Sequence, residues 1–242
     1  TVIMSGGSIT SNAATQSNEI GLFNSAGGNI VLLGGTIDAY YGVYNAGTGT
    51  ISLGDSNSTC STVNVVGVYG VINLSTGNVT VNSCKSGTIS LNVTSTGSSI
   101  VNGIHNNSTG TVSISDGSIA VTTSGENKGA MGIYNASTGA VTMSGGVITA
   151  TVVTQSAEHG LVNSVGGSIV LLGGTINAYY GVYNMGAGEI LIGKSDSTCS
   201  TINVTNTGGD VYGVYNSSTG SVTVNSCSSG TIELNVTSDS FH

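Results

Sequence analysis

Charge is scarce in this sequence. Of 242 residues, Lys and Arg together number 3 and Asp and Glu together 11, so charged residues make up 6% of the chain, where about a quarter is usual for a soluble domain. Every one of the three cations is a lysine, and there is no Arg. Without it there is no bidentate clamp for phosphate or carboxylate, and a net charge of -8 opposes nucleic-acid binding through backbone phosphates. Pro and Trp are also absent, and aromatics are only 5%. No run of 18 apolar residues exists, so no transmembrane helix is expected. Neither is a basic segment followed by an apolar one, so no signal peptide is visible. The first residues, Thr1-Val2-Ile3-Met4-Ser5-Gly6-Gly7, fall inside a repeating pattern, as in a processed chain or a piece of a longer one. Disorder goes with low hydrophobicity, but hydrophobic residues are 38% and mean hydropathy is +0.27, enough for a core.

Repetition fills the chain. The phrase Gly-aliphatic-X-Asn begins at Gly21, Gly42, Gly70, Gly103, Gly132, Gly160, Gly181 and Gly213, at spacings of 21, 28, 33, 29, 28, 21 and 32. After each Asn comes a short turn, then a β-branched run such as Thr111-Val112-Ser113-Ile114, a second turn often containing Gly-Gly, and a third run such as Ser118-Ile119-Ala120-Val121. A larger duplication is superimposed. Met4-Ser5-Gly6-Gly7 returns as Met143-Ser144-Gly145-Gly146 at an offset of 139, and Leu32–Tyr41 returns as Leu171–Tyr180. After an insertion near Asn206 to Gly209, Asn82-Ser83-Cys84 returns as Asn225-Ser226-Cys227 at 143.

The runs alternate with period two and are rich in Val, Ile and Thr, so they are strands. Three strands and three turns in about 21 residues make one rung of a β-helix, and no rung buries its inward face alone. The sequence therefore predicts an all-β, right-handed parallel β-helix (β-solenoid) of roughly eight to nine three-stranded rungs stacked about 4.8 Å apart. It is one domain over residues 1–242, with internal copies at approximately 1–130 and 131–242. The lack of Pro suits strands whose N–H groups all enter a ladder, and Gly suits turn positions with positive φ. Units longer than 21 residues are expected to carry their insertions at the second and third turns.

Position two of the phrase is always Leu, Val or Ile and is assigned to the core. Period two then turns the Asn inward, and Asn24, Asn45, Asn73, Asn106, Asn135, Asn163, Asn184 and Asn216 are expected to stack as a structural ladder of side-chain amides. Asn73, Asn106, Asn135 and Asn216 also lie in Asn-X-Ser/Thr sequons, but a buried ladder position cannot be glycosylated; Asn57, on an insertion, is the better acceptor. Position three carries Phe23, Tyr44, Ile72, His105, Tyr134, Val162, Tyr183 and Tyr215. Facing outward, these would form an apolar and aromatic stripe for binding or assembly; with the opposite phase they would fill the core. Tyr40-Tyr41 and Tyr179-Tyr180, at a rung corner, share that ambiguity.

Cys60 and Cys84 fall in second-turn insertions of successive rungs, and Cys199 and Cys227 repeat the arrangement. Stacked rungs bring backbones within disulfide reach, so Cys60–Cys84 and Cys199–Cys227 are expected, in an oxidising, extracellular setting. No zinc site is expected, since Cys-X-X-Cys is absent and the three His are scattered. No catalytic residue is assigned. Lys85, Lys128 and Lys194 fall in loops or turns, no acidic pair recurs on neighbouring rungs, and Asp38 and Asp55 become Asn177 and Lys194 in the second copy. Glu19 and Glu158 correspond but lie several rungs apart. No enzyme, no metal and no cofactor is expected.

The phrases Gly213-Val214-Tyr215-Asn216-Ser217-Ser218-Thr219-Gly220 and Val141-Thr142-Met143-Ser144-Gly145-Gly146-Val147-Ile148, with Gly188-Glu189-Ile190-Leu191-Ile192-Gly193 followed by Ser200-Thr201, resemble the β-helical repeats of large surface proteins from clostridia and related Gram-positive bacteria. The resemblance covers nearly the whole chain. It implies a secreted or wall-attached adhesin or stalk and offers no catalytic residue. The expected function is an extracellular, cell-surface structural protein, a segment of a fibre or adhesin stalk assembling by end-to-end stacking of rungs. Its partners would be copies of itself, head to tail, or other surface proteins, with no nucleic acid and no membrane insertion. The alternative is an adhesin module that binds host or environmental glycans, or a partner protein, on the aromatic stripe.

Overall fold

A computed structural model describes residues 1–11, 19–97, 99–124, 129–152, 158–206 and 211–238. Lys128 and most of the insertion beginning at Asn206 lie outside the described residues. The described chain is all-β, and every strand pairing is parallel. Each turn of the chain lays one strand on each of three faces. The first face stacks Ile20–Asn24, Tyr41–Asn45, Tyr69–Asn73, Val101–Asn106, Ala130–Asn135, Glu158–Asn163, Tyr180–Asn184 and Tyr212–Asn216 as one 8-stranded sheet. On the second face, Ile51–Leu53, Val79–Val81, Val112–Ile114, Val141–Met143, Ile169–Leu171, Ile190–Ile192 and Val222–Val224 follow the start of Ile30–Asp38. Thr62–Val66, Ser90–Ser95, Ser118–Thr123, Val147–Val152, Gly174–Asn177, Thr201–Asn206 and Glu233–Ser238 continue its end on the third face. Val2–Thr10 lies against the whole of Ile30–Asp38. The fold is a parallel β-solenoid of about eight turns, close to 40 Å along its axis at the usual strand spacing.

The core is a set of aliphatic columns. Val43, Val71, Ile104, Ile133, Leu161 and Val182 are fully buried on the first face, and Ile51, Leu53, Val79, Val81, Val112 and Ile190 on the second. Each such side chain contributes about 1.5–3 kcal/mol by leaving water, and each needs the rung above or below to do so. Both copies of the duplication stack in the same sheets, with Val112 against Val141 and Ile119 against Ile148 at their junction.

The first turn is the same length in every rung because the phrase Asn closes it. Each Asn Nδ2 donates to the carbonyl of a glycine four residues on, from Asn24 to Gly28 at 2.7 Å through Asn73 to Gly77 at 2.6 Å to Asn216 and Gly220 at 2.7 Å. The second and third turns vary in length and carry the insertions. There some glycines supply positive φ, as at Gly117 and Gly146, both at 76°.

The phrase glycine answers a different need. Along Tyr41–Asn45, Gly42 and Val43 are both buried while Tyr41 and Tyr44 are half-exposed, so strict alternation breaks there. A Cβ on Gly70 would lie 2.6 Å from Val93 Cγ2 and 2.5 Å from the carbonyl oxygen of Gly103. A Cβ on Gly103 would meet Ile119 Cγ2 and the Gly132 carbonyl oxygen, each at 2.5 Å. Only a residue without a side chain fits between the third-face core and the next rung. The residue preceding it is thereby turned outward, a break in alternation shared by every rung, so the register stays one to one.

Both disulfides are present, Cys60–Cys84 and Cys199–Cys227, each with a Cα–Cα distance of 6.0 Å. Their geometry differs from simple stacking of equivalent positions. Thr59 pairs with Ser86, and the Cys60 N–H donates to the Ser86 carbonyl, so Cys84 reaches Cys60 diagonally between the two turns. Thr198 and Ser229 repeat this beside Cys199.

Candidate functional site

All ten tyrosines of the chain lie on the outside of the first face or at its entering corner, in contact with one another or with histidine or phenylalanine rings. Two adjacent columns hold most of them. The position-three column runs from Phe23 to Tyr215, as the phase of the phrase requires. Beside it runs the column of residues preceding the phrase glycine, which includes Tyr41, Tyr69, Asn102, Met131, His159, Tyr180 and Tyr212 in continuous register. Strict period two would have buried this second column. The break in alternation at the glycine brings it outside, and so resolves the placement of Tyr41 and Tyr180.

The rings form two groups. In the first group, Phe23 meets Tyr44 at 5.5 Å, Tyr41 stacks on Tyr69 at 5.1 Å, Tyr69 meets His105 at 5.5 Å, and His105 meets Tyr134 at 5.0 Å. In the second copy, His159 stacks on Tyr180 at 5.0 Å, Tyr180 on Tyr212 at 5.2 Å, and Tyr183 meets Tyr215 at 5.2 Å. Such pairs add about 0.5–1.5 kcal/mol each beyond their area. The position-three column is not an unbroken exposed stripe. Ile72 and Val162, assigned to it from the sequence, are 7% and 1% exposed, because these small aliphatic side chains sit between longer neighbours. Phe23 at 58% and Tyr215 at 39% are its most exposed members.

Burial and crowding shape the acid–base chemistry of this face. Burial, then the adjacent phenols Tyr40 and Tyr44, push the Tyr41 pKa up; burial does the same to Tyr69 and Tyr180. Burial lowers the pKa of His105, so its imidazole is neutral at physiological pH. Tyr41, Tyr69, Tyr180 and His105 are therefore all uncharged at physiological pH.

A cleft of about 500 Å³ opens in the first ring group, bordered by Tyr40, Tyr69, Tyr134 and Ile100, with Asn102 and His105 among its lining residues. Nothing in the sequence singled out Asn102. Only the register across the 33-residue spacing puts it in the tyrosine column, between Tyr69 and Met131.

The Asn ladder occupies the inside corner of the same face. Asn24 donates to Asn45 at 2.7 Å, Asn45 to Asn73 at 2.9 Å, Asn73 to Asn106 at 3.0 Å and Asn106 to Asn135 at 3.0 Å. Asn135 then donates to Asn163 at 3.2 Å, Asn163 to Asn184 at 2.9 Å and Asn184 to Asn216 at 2.9 Å. Asn45, Asn73, Asn106, Asn135, Asn163 and Asn184 are fully buried.

Ionisable groups elsewhere are dispersed. Among the described residues no cluster of three or more His, Cys, Asp or Glu could hold a metal ion. Glu19 and Asp38 border one cleft on adjacent turns, a proximity the repeat spacing did not reveal, and Glu158 occupies the matching cleft of the second copy beside Asn177. Burial raises the Glu158 pKa, partly offset by the Val152 N–H donated to its carboxylate at 2.9 Å. Lys194 pairs with Asp196 at 3.1 Å in the open, where such a bridge stabilises little. Among the described residues no helix is long and apolar enough to cross a membrane, and the two disulfides are compatible with an extracellular location. No family model matches the chain, and no curated protein and no solved structure matches it.

Proposed function

We propose that this chain is an extracellular structural rod, a segment of a cell-surface fibre or adhesin stalk, and not an enzyme. The observation that carries the reading is the tie between every pair of successive rungs. A buried amide ladder crosses all seven steps from Asn24 to Asn216, and disulfides clamp second turns in both copies. Such ties give axial strength without any moving part. Assembly in this reading is by end-to-end stacking of rungs, whose strand ladders can be continued by a further rung. The test is electron microscopy of the non-reduced protein at several concentrations. Long rods with an axial repeat of one chain are expected for a fibre, and separate short rods for a stalk segment. Irregular, non-rod particles would overturn the reading.

A second reading is favoured by the tyrosine face: an adhesin module that binds glycans or a partner protein there. Gathering all ten tyrosines on one side is more than the core requires, since these rings lie outside it. Changing Tyr44, Tyr183 and Tyr215 to Ser is expected to abolish glycan retention on an array with the circular dichroism spectrum unchanged. Full retention would remove this reading.

A further inference from the structure

The cleft at Tyr69, Asn102, His105 and Tyr134 has an unusual polar balance. Asn102 is 3% exposed, yet its Oδ1 has no hydrogen-bond partner, and its Nδ2 makes one long bond, 3.4 Å to the Ile100 carbonyl. Three residues along the same strand, the His105 Nδ1 is buried and also has no partner. Buried polar atoms are paired in the great majority of cases, and each unpaired one costs about 1–3 kcal/mol. Here the two belong to residues that line one cleft. Neither is needed for the core, which at this rung is built by Val101 and Ile104. The other phrase-face asparagines on the inside corner, by contrast, are satisfied by the ladder.

The surroundings define what would pair them. The rings of Tyr69 and Tyr134 lie on either side of His105, at 5.5 and 5.0 Å between centroids. Tyr40 and Ile100 extend the apolar border, and no Lys, Asp or Glu is among the described residues lining the cleft. Its volume of about 500 Å³ lies within the ordinary range of ligand clefts. A suitable ligand is neutral, offers an apolar face to tyrosine rings and carries hydroxyl donors at its edge. A pyranose has all three properties: axial C–H groups on one face and hydroxyls around the rim. An anionic sugar would bring a carboxylate into a site with no cation to receive it.

We propose that this cleft is a binding subsite for a single neutral pyranose unit, stacked on Tyr69 or Tyr134 with hydroxyls donating to Asn102 Oδ1 and His105 Nδ1. The proposal rests on the second reading above, and it names one subsite of the tyrosine face. In the second copy His159 is stacked on both Tyr180 and Tyr183, and Tyr180 in turn on Tyr212.

The test is calorimetric titration of the full chain with the methyl pyranosides of glucose, galactose, mannose and N-acetylglucosamine, with glucuronic acid as the charged control. Saturable binding of at least one neutral pyranoside is expected, with none of glucuronic acid. Asn102→Leu and His105→Phe, which keep size and shape, should each weaken it about tenfold. Thr142→Ala, on the second face and outside both tyrosine columns, should leave it unchanged. In the unmodified protein, the His105 ¹⁵N resonances should move on saturation, a readout that survives if a variant fails to fold. Binding that is lost with Tyr183→Ser and Tyr215→Ser, with Asn102→Leu and the His105 resonances unaffected, would overturn the cleft and leave the broader stripe. Binding of none of the four pyranosides would overturn the cleft. If a glycan array also shows no retention, the second reading falls with it.

Discussion

At the scale of single residues, the phrase Asn does three things with one amide. It closes the first turn, reaches the next rung and satisfies itself in a dry interior. Asn73 shows the density of this arrangement: its Nδ2 donates to Gly77, Asn106 and Ser108 at 2.6, 3.0 and 2.7 Å, while its Oδ1 accepts from Asn45 at 2.9 Å. Truncation removes these bonds and leaves one Asn45 Nδ2 hydrogen without its acceptor, the other still donating to the Gly49 carbonyl. Asn73→Ala is expected to cost about 3 kcal/mol, measured by urea denaturation, with a smaller cost for Asn24→Ala at the edge of the ladder. His105 gives a second prediction at this scale. Burial holds its folded-state pKa below the ordinary imidazole value of 6.5, so on acidification the unfolded chain takes up the proton first. Stability is therefore expected to decline as pH falls below about 6.5 and to level off once the folded imidazole also protonates. His105→Phe should remove this slope. Glu158 acts in the opposite sense and in a lower window: its raised carboxyl pKa stabilises the fold as acid passes through the carboxylate range.

At the scale of the rung, constancy and variation are separated by turn. The first turn is fixed by its Asn, whereas the second and third absorb every change in spacing. Cys60–Cys84 and Cys199–Cys227 tie second turns that have no side-chain ladder of their own beyond Thr59–Ser86 and Thr198–Ser229 at 2.8 and 2.9 Å. Replacing Cys60 and Cys84 together by Ser is expected to lower stability by about 3 kcal/mol from the lost loop constraint. In hydrogen exchange the loosening should be confined to the turns around residues 54–61 and 82–89, with the strands of those rungs still protected. Much of this rung was legible in advance. The Gly-aliphatic-X-Asn phrase, read with period two, identifies the inward Val43 and Asn45 and the outward Tyr44. The cysteine positions identify their partners. Tyr41, Tyr69 and Asn102 were not legible, because the packing of each phrase glycine reverses the residue before it, and alternation gives no warning of a reversal. The glycines invited the familiar explanation of positive φ. Gly70 and Gly103 are instead places where a side chain has no room. The covering of Ile72 and Val162 was hidden for a related reason: exposure in a column depends on the size of the neighbours above and below, which only the register supplies.

At the scale of the whole molecule, the solenoid is a one-dimensional stack, in which each rung depends on its two neighbours. Inward side chains reach complete burial in the middle rungs, as for Val71, Ile104 and Ile133, but Val222 and Val224 in the last described rung remain 41% and 68% exposed. Opening is therefore expected to begin at the outer rungs and travel inward. Native-state hydrogen exchange should give the slowest amides in the strands of Val101–Asn106 and Ala130–Asn135 and the fastest in Val222–Val224 and Glu233–Ser238. Uniform protection from rung to rung would contradict this picture and would require a source of cooperativity that spans the stack.

The asparagine column has one more consequence, which is electrical. Every amide in it points the same way: from Asn24 to Asn216 the hydrogens lead toward the C-terminal rung, and each oxygen receives from the rung before. Aligned amide dipoles add, and each polarises the next in a dry interior. The column thus gives the rod a fixed polarity, with its negative pole at the Asn24 end and its positive pole at the Asn216 end. A rung joining at the Asn216 end would be met by an amide donor and one joining at the Asn24 end by an acceptor. Two such stacks meeting in the same orientation continue the field, whereas two meeting head to head oppose it.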